Sequence, residues 1–321
     1  MIRRRLCWGA AALAAALPLA GCTTVHGERE NIPSVAPAEA ARVLAHFAAV
    51  NNAAVKAYDP ARITEVEAGP LGAIDAAGVR AKHTNNPAGN PSFSPLVLSD
   101  PKFLIPRQTG WPKFFVADTA VNRGTNARWL LVFRRAAASV PWKADFLAVP
   151  GPGRLPDVAT DGRGYAVPAP AAATGLLVAP GRVASAYTAY LQGGADPVFA
   201  DGPSTSQLLA GRADRARTPN SVTQYADQPG QGGDFAPVAL RTKDGGALVF
   251  FGTRYQSRST YRAGYRLTID PDTRALMTGT PRTSVTLSNV GQQLVLVPPA
   301  GGTAKVSFLS RVVGLVAARG E

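Results

Sequence analysis

Residues 128–135 (RWLLVFRR) and 247–256 (ALVFFGTRYQ) decide the fold, because both read as strands and they occupy equivalent places in the two halves of the chain. Short apolar runs rich in β-branched and aromatic residues, bounded by turn formers, predict buried strands. An aromatic–basic pair follows each run, Trp142-Lys143 in the first half and Tyr261-Arg262 in the second. Helical patterns precede each run. The sequence therefore predicts one plan used twice, helices followed by an antiparallel meander.

The first half begins with a helical pattern that Pro37 opens and that carries an apolar stripe as far as Tyr58. Asp59-Pro60 caps and starts a second helix, and Gly69-Pro70 interrupts it before a third stretch over residues 71–82. A loop rich in turn formers spans residues 84–95. Strands are predicted at residues 102–105, 113–119, 128–135 and 142–149.

The second half repeats this order after a segment rich in proline and alanine at residues 168–180, which reads as the domain boundary. Asp244-Gly245-Gly246 predicts a hairpin turn, and Asp270-Pro271-Asp272 predicts another. Helices are predicted at residues 182–191 and 204–213. Strands are predicted at residues 221–226, 235–242, 247–256, 258–269, 275–279, 284–287, 293–297 and 305–316.

This order, with halves of about 140 residues each, resembles the cone-shaped α+β fold of nuclear transport factor two. The stretches at residues 103–107 (FLIPR), 110–115 (GWPKFF) and 297–299 (VPP) are similar to uncharacterised actinobacterial lipoproteins built on a tandem of such domains. The resemblance implies two α+β domains, each with N-terminal helices packed on a curved antiparallel sheet. It implies no activity.

The N-terminus resembles a bacterial lipoprotein signal peptide. Arg3, Arg4 and Arg5 precede an apolar stretch that ends in Leu19-Ala20-Gly21-Cys22, the order of a lipobox. About 14 apolar residues are too few to span a bilayer, which needs about 20. The resemblance implies cleavage before Cys22, a diacylglyceryl thioether on its sulfur, and a place on the extracytoplasmic face of the cell membrane.

The predicted organisation is therefore a signal peptide (residues 1–21), a flexible tether (22–36), a first domain (37–167), a linker (168–180) and a second domain (181–321). Cys7 leaves with the signal, so the mature domains contain no thiol chemistry. The formal net charge of +13 becomes +10 when the three arginines of the signal are removed. Such a body is drawn to anionic lipid headgroups and wall polymers. The predicted extracytoplasmic location and the lack of a recognisable nucleic-acid-binding motif argue against nucleic acid as a partner.

The serine-hydrolase elbow is missing from the sequence. There is no Gly-x-Ser-x-Gly, and Lys243-Asp244-Gly245 reads as a plain turn. The three histidines, His26, His46 and His83, have no metal-ligand spacing. Asp270 and Asp272 lack the glycine and glutamate of a calcium loop. We therefore predict no metal, no cofactor and no catalytic residue, and we lean against an enzyme.

One cluster is a candidate for binding. Four arginines and three tyrosines crowd residues 254–266, read as one hairpin, and in an extended chain Arg254 and Arg258 share a face, as do Arg262 and Arg266. Such a set suits phosphate or carboxylate recognition and stacking on sugars. A solvated sheet face is the favoured alternative. The cluster consists of Arg254, Tyr255, Arg258, Tyr261, Arg262, Tyr265 and Arg266.

Two classes of function follow. The first is a non-catalytic, membrane-tethered module of the cell envelope that binds a partner protein or an anionic polymer. The second is a hydrolase or isomerase that uses the concave pocket of one domain, where a lone aspartate and a tyrosine or histidine suffice. A deep cavity with convergent polar groups and a perturbed carboxylate would favour an enzyme or a small-ligand binder. A cavity filled by apolar side chains would favour a scaffold.

Overall fold

The computed structural model describes residues 30–153, 155–194 and 198–321, so the predicted signal peptide and Cys22 lie outside the described residues. In each half, helices are followed by a mainly antiparallel sheet, as the α+β prediction requires. Among the described residues, no helix has the length and apolar character needed to cross a bilayer.

The first half consists of three helices followed by a four-stranded antiparallel sheet in the order β2-β4-β5-β6. Before α1, the short strand β1 forms a separate antiparallel pair with β3. The elements are β1 (Ile32–Pro33), α1 (Pro37–Ala57), α2 (Pro60–Val66), α3 (Gly69–Asn85), β2 (Leu98–Leu104), β3 (Arg107–Gln108), β4 (Lys113–Val121), β5 (Arg128–Arg135) and β6 (Lys143–Ala148).

The second half places two longer helices before a six-stranded sheet, in which β10-β12-β11-β9-β7 form one path and β8 pairs with β9. Single 3-10 turns lie at Pro180–Arg182 and Gly233–Phe235. The elements are α4 (Val183–Leu191), α5 (Ser206–Ala216), β7 (Ser221–Pro229), β8 (Val238–Arg241), β9 (Ala247–Tyr261), α6 (Pro271–Ala275), β10 (Met277–Gly279), β11 (Ser284–Val297) and β12 (Ser307–Gly320).

The two apolar runs are continuous because each strand is buried on both faces. In β5, Leu131 and Phe133 join the core beneath the helices, whereas Leu130 and Val132 face the other sheet. In β9, Phe251 packs in the core with α4, and Phe250 lies in the core between the sheets. Side chains alternate across a strand, so a strand sandwiched between two layers loses the usual polar alternation. The layers are helices, sheet, sheet and helices.

Two buried arginines fix how elements meet. Arg134 of β5 donates to the carbonyl oxygens of Gly233 (2.7 Å) and Ala236 (2.6 Å) and pairs with Asp145 (3.0 Å), which connects the first sheet to the second half. Arg212 of α5 makes a bidentate pair with Asp227 of β7, at 2.6 and 2.9 Å. Both pairs are buried, and in the second pair the fork-shaped guanidinium bonds both oxygens of the carboxylate.

Several local predictions hold. Asp59 caps α2 by accepting from the backbone nitrogen of Ala61 at 3.0 Å, and α3 begins at Gly69, where the helical pattern breaks. The turn at residues 244–246 joins β8 to β9, and the Asp244 side chain accepts from the Gly246 nitrogen. These signals are local in sequence, so no distant contact was needed to interpret them.

Other predictions are wrong. The tether does not extend to residue 36, because Ile32 and Pro33 pair with β3 and Val35 is buried. The strand predicted over residues 258–269 ends at Tyr261, since Gly264 adopts a positive φ in a turn. Asp270-Pro271-Asp272 is not a hairpin turn: Asp270 caps α6 by accepting from Thr273. The strands predicted at 284–287 and 293–297 are one strand, β11.

The segment at residues 168–180 is bound to the second half. Pro168 bridges to Leu240 of β8, and the Ala169 nitrogen donates to the Ala239 carbonyl. Leu176 is buried in the core that contains α4. The segment therefore lies along the second sheet.

Candidate functional site

A cavity of about 630 Å³ lies where α1 and α3 of the first half meet α6 and β12 of the second; we call it the main cavity. Its size is in the range that holds small-molecule ligands. Most of its wall is apolar, and its polar groups lie at two places, the inner end beside Asp75 and the mouth beside Lys82. The main apolar lining residues are Val55, Ile63, Ile74, Val79, Leu276 and Leu315.

Asp75 of α3 also lines a second, smaller cavity of about 220 Å³ between α1, α3 and the first sheet. Trp129 and Leu131 of β5 and Arg123 line this small cavity. The carboxylate of Asp75 therefore borders two cavities.

Glu67, between α2 and α3, is the partner of Asp75. Its side chain is 2% exposed, and the Asn51 side-chain nitrogen donates to its Oε1 at 3.1 Å. Burial, followed by the nearby charge of Asp75, raises the pKa of Glu67 well above its usual value. Burial also raises the pKa of Asp75 to about 6, and a hydrogen bond from Glu67 opposes this rise. Burial and the neighbouring Asp75 therefore favour the protonated form of Glu67, which can donate a hydrogen bond to Asp75.

The mouth of the main cavity is formed by α6 and the C-terminal end of α3. Lys82 pairs with Asp272 at 2.6 Å, and the Asn85 side chain donates to Asp272 at 2.7 Å. The hydrogen bond to Asp272 raises the pKa of Lys82. The hydrogen bonds from Thr273 lower the pKa of Asp270, which also lines the cavity. The side chains of Lys82 and Asp272 are 49% and 42% exposed, so solvent reaches this end.

Sequence reasoning missed both carboxylates. A signal for Asp75 is present in retrospect: Leu71, Asp75 and Val79 are spaced four residues apart on one helix face, and both apolar neighbours are buried. A carboxylate on a buried face is unusual and points to a special environment. No comparable signal marks Glu67, which lies in the short link between two helices.

The predicted arginine cluster is not a hairpin. Arg254 and Arg258 share the exposed face of β9, as predicted, whereas Arg262 and Arg266 lie in the loop that follows and form no strand face. The Arg254 guanidinium lies 4.1 Å from the centre of the Phe235 ring, and Arg258 pairs with Glu321 at 2.7 Å. Two tyrosines of the cluster, Tyr261 and Tyr265, stack at 5.4 Å.

The remaining sequence candidates are spread over the surface. His46 is exposed on α1 and His83 is exposed on α3. Within residues 30–153, 155–194 and 198–321, no group of three or more histidine, cysteine, aspartate or glutamate side chains is arranged to hold a metal ion. The main cavity and its carboxylates are therefore the candidate functional site.

The chain belongs to the family described as "Domain of unknown function (DUF8094)", which matches residues 31–320. Similar proteins include an uncharacterized lipoprotein of Streptomyces avermitilis, 46% identical over 313 residues, and one of Streptomyces coelicolor, 45% identical over 313 residues; each alignment covers 97% of this chain and 94% of the relative. A second uncharacterized lipoprotein of S. coelicolor is 29% identical over 302 residues, 89% of this chain and 82% of the relative. No solved structure shows a significant match.

Proposed function

We propose that this protein is a membrane-anchored lipoprotein of the cell envelope that binds a small, largely apolar molecule in the main cavity without changing it chemically. The observation that carries the proposal is the cavity itself: about 630 Å³, apolar walls, and a carboxylate with a raised pKa at one end. Binding sites commonly combine an apolar lining with a few placed polar groups. A cavity filled by apolar side chains would have favoured a purely structural module.

The anchor and the address are part of the proposal. The lipobox that ends in Cys22 and the lipoprotein names of the relatives support a lipid-anchored protein on the extracytoplasmic face. Intact-mass measurement of protein extracted from membranes should show the loss of residues 1–21 and an added diacylglyceryl mass. Full-length, unmodified protein in the cytosol would contradict it.

A cavity-filling substitution tests the binding proposal. Gly78 of α3 lines the main cavity, and a Cβ at this position would meet no atom within 4 Å. Gly78→Leu should therefore occupy the cavity while favouring the helix, because leucine is a better helix former than glycine. We expect the wild type to bind N-phenyl-1-naphthylamine, a neutral fluorescent probe, and Gly78→Leu to lose this binding.

The matched control is Gly211→Leu in α5, which makes the same change inside a helix away from the cavity. Its probe binding should equal that of the wild type. Equal binding by Gly78→Leu and the wild type, or no binding by either, would overturn the proposal.

A second candidate function is acid–base catalysis in the small cavity. The observation that favours it is the Glu67–Asp75 pair, since carboxylates of unequal pKa at a cavity are suited to general acid and base roles. A hydrolase or isomerase would convert components of a cell-envelope extract, and Asp75→Asn would not. Mass spectra of the extract that are identical with both proteins would exclude this candidate for the molecules present.

We also propose that residues 37–167 and 181–321 are two cone-shaped domains of similar architecture. The support is that α1 and α3 contact the first sheet and α4 contacts β9 of the second, each over its own apolar core. An experimental structure in which the halves fail to superpose would contradict the duplication. Partners would be an envelope protein or an anionic wall polymer, the latter through Arg254, Arg258, Arg262 and Arg266.

A further inference from the structure

We propose that the ligand of the main cavity carries a basic amine at one end of an apolar body, and that the amine binds Asp75. This inference rests on the proposed function, because it names the chemical class of molecule that the same cavity accepts.

The first argument is charge. The chain is strongly basic, with a formal net charge of +13, yet three carboxylates and one ammonium group line the main cavity. Lys82 is already paired with Asp272 at 2.6 Å, so its charge is balanced within the wall. Asp75 and Asp270 remain. An acidic recess in a basic protein attracts cations and repels the anions that the outer surface attracts.

The second argument is the environment of Asp75. Glu67 is 2% exposed, and as a carboxylate its Oε2 has no hydrogen-bond partner, so it is satisfied only by holding a proton and donating it to Asp75. That arrangement leaves a single negative charge on Asp75 at the inner end of the cavity. Asn51 donates to Glu67. Asp75 is only partly exposed, and a partly desolvated charge without a counter-ion is costly; an ammonium group of a ligand would supply one.

Cations of the protein itself are directed elsewhere. Arg123, which lines the small cavity on the other side of Asp75, donates to the Ser94 carbonyl at 2.7 Å. Arg80, on the same helix as Asp75, donates to the Val316 carbonyl at 3.3 Å. The amine of a ligand is therefore the cation that best fits the inner end, and the apolar wall formed by Ile63, Ile74 and Leu276 takes its body.

Displacement of N-phenyl-1-naphthylamine by three ten-carbon chains tests the inference: decylamine, decanol and decanoate at pH 7.4, each below the concentration at which it forms micelles. A charge-assisted hydrogen bond contributes about 1.5–3 kcal/mol, which corresponds to roughly a 10- to 100-fold change in affinity. We expect decylamine to displace the probe at about one tenth or less of the decanol concentration, with decanoate the weakest of the three.

Asp75→Asn should lower the affinity for decylamine about 10-fold or more and change the affinity for decanol by less than about 3-fold. The matched control is Asp157→Asn, an exposed carboxylate distant from the cavity that pairs with Lys243; it should leave all three affinities unchanged. If Asp75→Asn does not fold, the order of the three chains on the wild type still decides the question.

The outcomes separate this inference from the proposed function. Suppose that Gly78→Leu abolishes probe binding, and that decanol or decanoate displaces the probe at the same concentration as decylamine or at a lower one. This result would overturn the amine inference and leave the binding function intact. Probe binding that Gly78→Leu does not affect would overturn the proposed function. Preference for decylamine that persists in Asp75→Asn would assign the amine to another group and overturn the inference.

Discussion

At the residue scale, the Glu67–Asp75 pair couples stability to pH. Burial raises the pKa of Asp75 to about 6 and raises that of Glu67 well above its usual value. Unfolded carboxyl groups titrate near pH 4. The folded protein therefore holds protons that the unfolded chain has released, and the stability that protonation provides is present below about pH 4 and lost as the pH rises through 6.

Asp75→Asn removes part of this dependence. We expect the variant to match the wild type near pH 4.5 and to be more stable at pH 7.5, by on the order of 2 kcal/mol. Urea unfolding gives the free energy of unfolding of both proteins at both pH values. Other titrating groups such as Asp145 affect both proteins alike, so their contribution cancels when the variant is compared with the wild type. A variant that is less stable than the wild type at pH 7.5 would show that ionised Asp75 stabilises the fold.

At the element scale, the contact between β12 and α3 depends on the absence of a side chain at Gly314. A Cβ at this position would lie 2.4 Å from Cγ2 of Ile74, so the strand and helix approach closely only with glycine there. Both residues line the main cavity. The same close contact therefore helps to shape the cavity wall.

Gly314→Ala should destabilise the protein by about 1–3 kcal/mol through overpacking. Ile74→Ala removes the atom that clashes, so the double variant should be less destabilised than the sum of the single variants. Urea unfolding of the four proteins measures the coupling. Additive effects would mean that the strand moves away from the helix instead of clashing with it.

The exposed arginines belong to the same scale. Arg254 and Arg258 are engaged with Phe235 and Glu321, whereas Arg262 and Arg266 are exposed in the loop. If the surface binds anionic liposomes or wall polymer, binding should weaken with salt, because the Debye length falls from about 10 Å at 0.1 M to about 3 Å at 1 M. Replacing Arg262 and Arg266 by glutamine should then weaken binding more than replacing Arg254 and Arg258. Binding that neither pair affects would identify an ordinary solvated face.

Sequence patterns predicted the elements whose signals are local. The helix opened by Pro37, the cap at Asp59 and the turn at residues 244–246 are each determined by neighbouring residues. The unbroken length of β11 was not predictable, because its polar centre, around Ser288 and Asn289, is held by pairing with β9 and β12 on both sides. The main cavity was likewise invisible, since its walls come from elements about 200 residues apart.

At the scale of the whole molecule, the halves share a core. Phe114, Val116 and Leu130 of the first sheet pack with Leu248 and Phe250 of the second. Arg134 adds hydrogen bonds from β5 to Gly233 and Ala236. Apolar surface buried between the two sheets stabilises both halves. Two halves that are separate in sequence can therefore unfold together.

The positions of the tryptophans allow this coupling to be tested. The chain has four, and the three beyond the predicted signal peptide, Trp111, Trp129 and Trp142, all lie in the first half. Tryptophan fluorescence therefore reports unfolding of the first half, whereas far-UV circular dichroism reports both halves. With a shared core, the two signals should change at one urea concentration.

Phe250→Ala, in the second half, should lower the stability reported by the tryptophans of the first half. Phe250 is 1% exposed in the core between the sheets, and truncation of a buried phenylalanine costs about 3–5 kcal/mol. We expect the fluorescence and dichroism midpoints to fall together in urea. Val222→Ala, at a residue that is 39% exposed in the same half, is the control and should shift neither midpoint. A dichroism midpoint that falls while the fluorescence midpoint stays would show that the halves unfold independently, and the main cavity between them would then open before the first half unfolds.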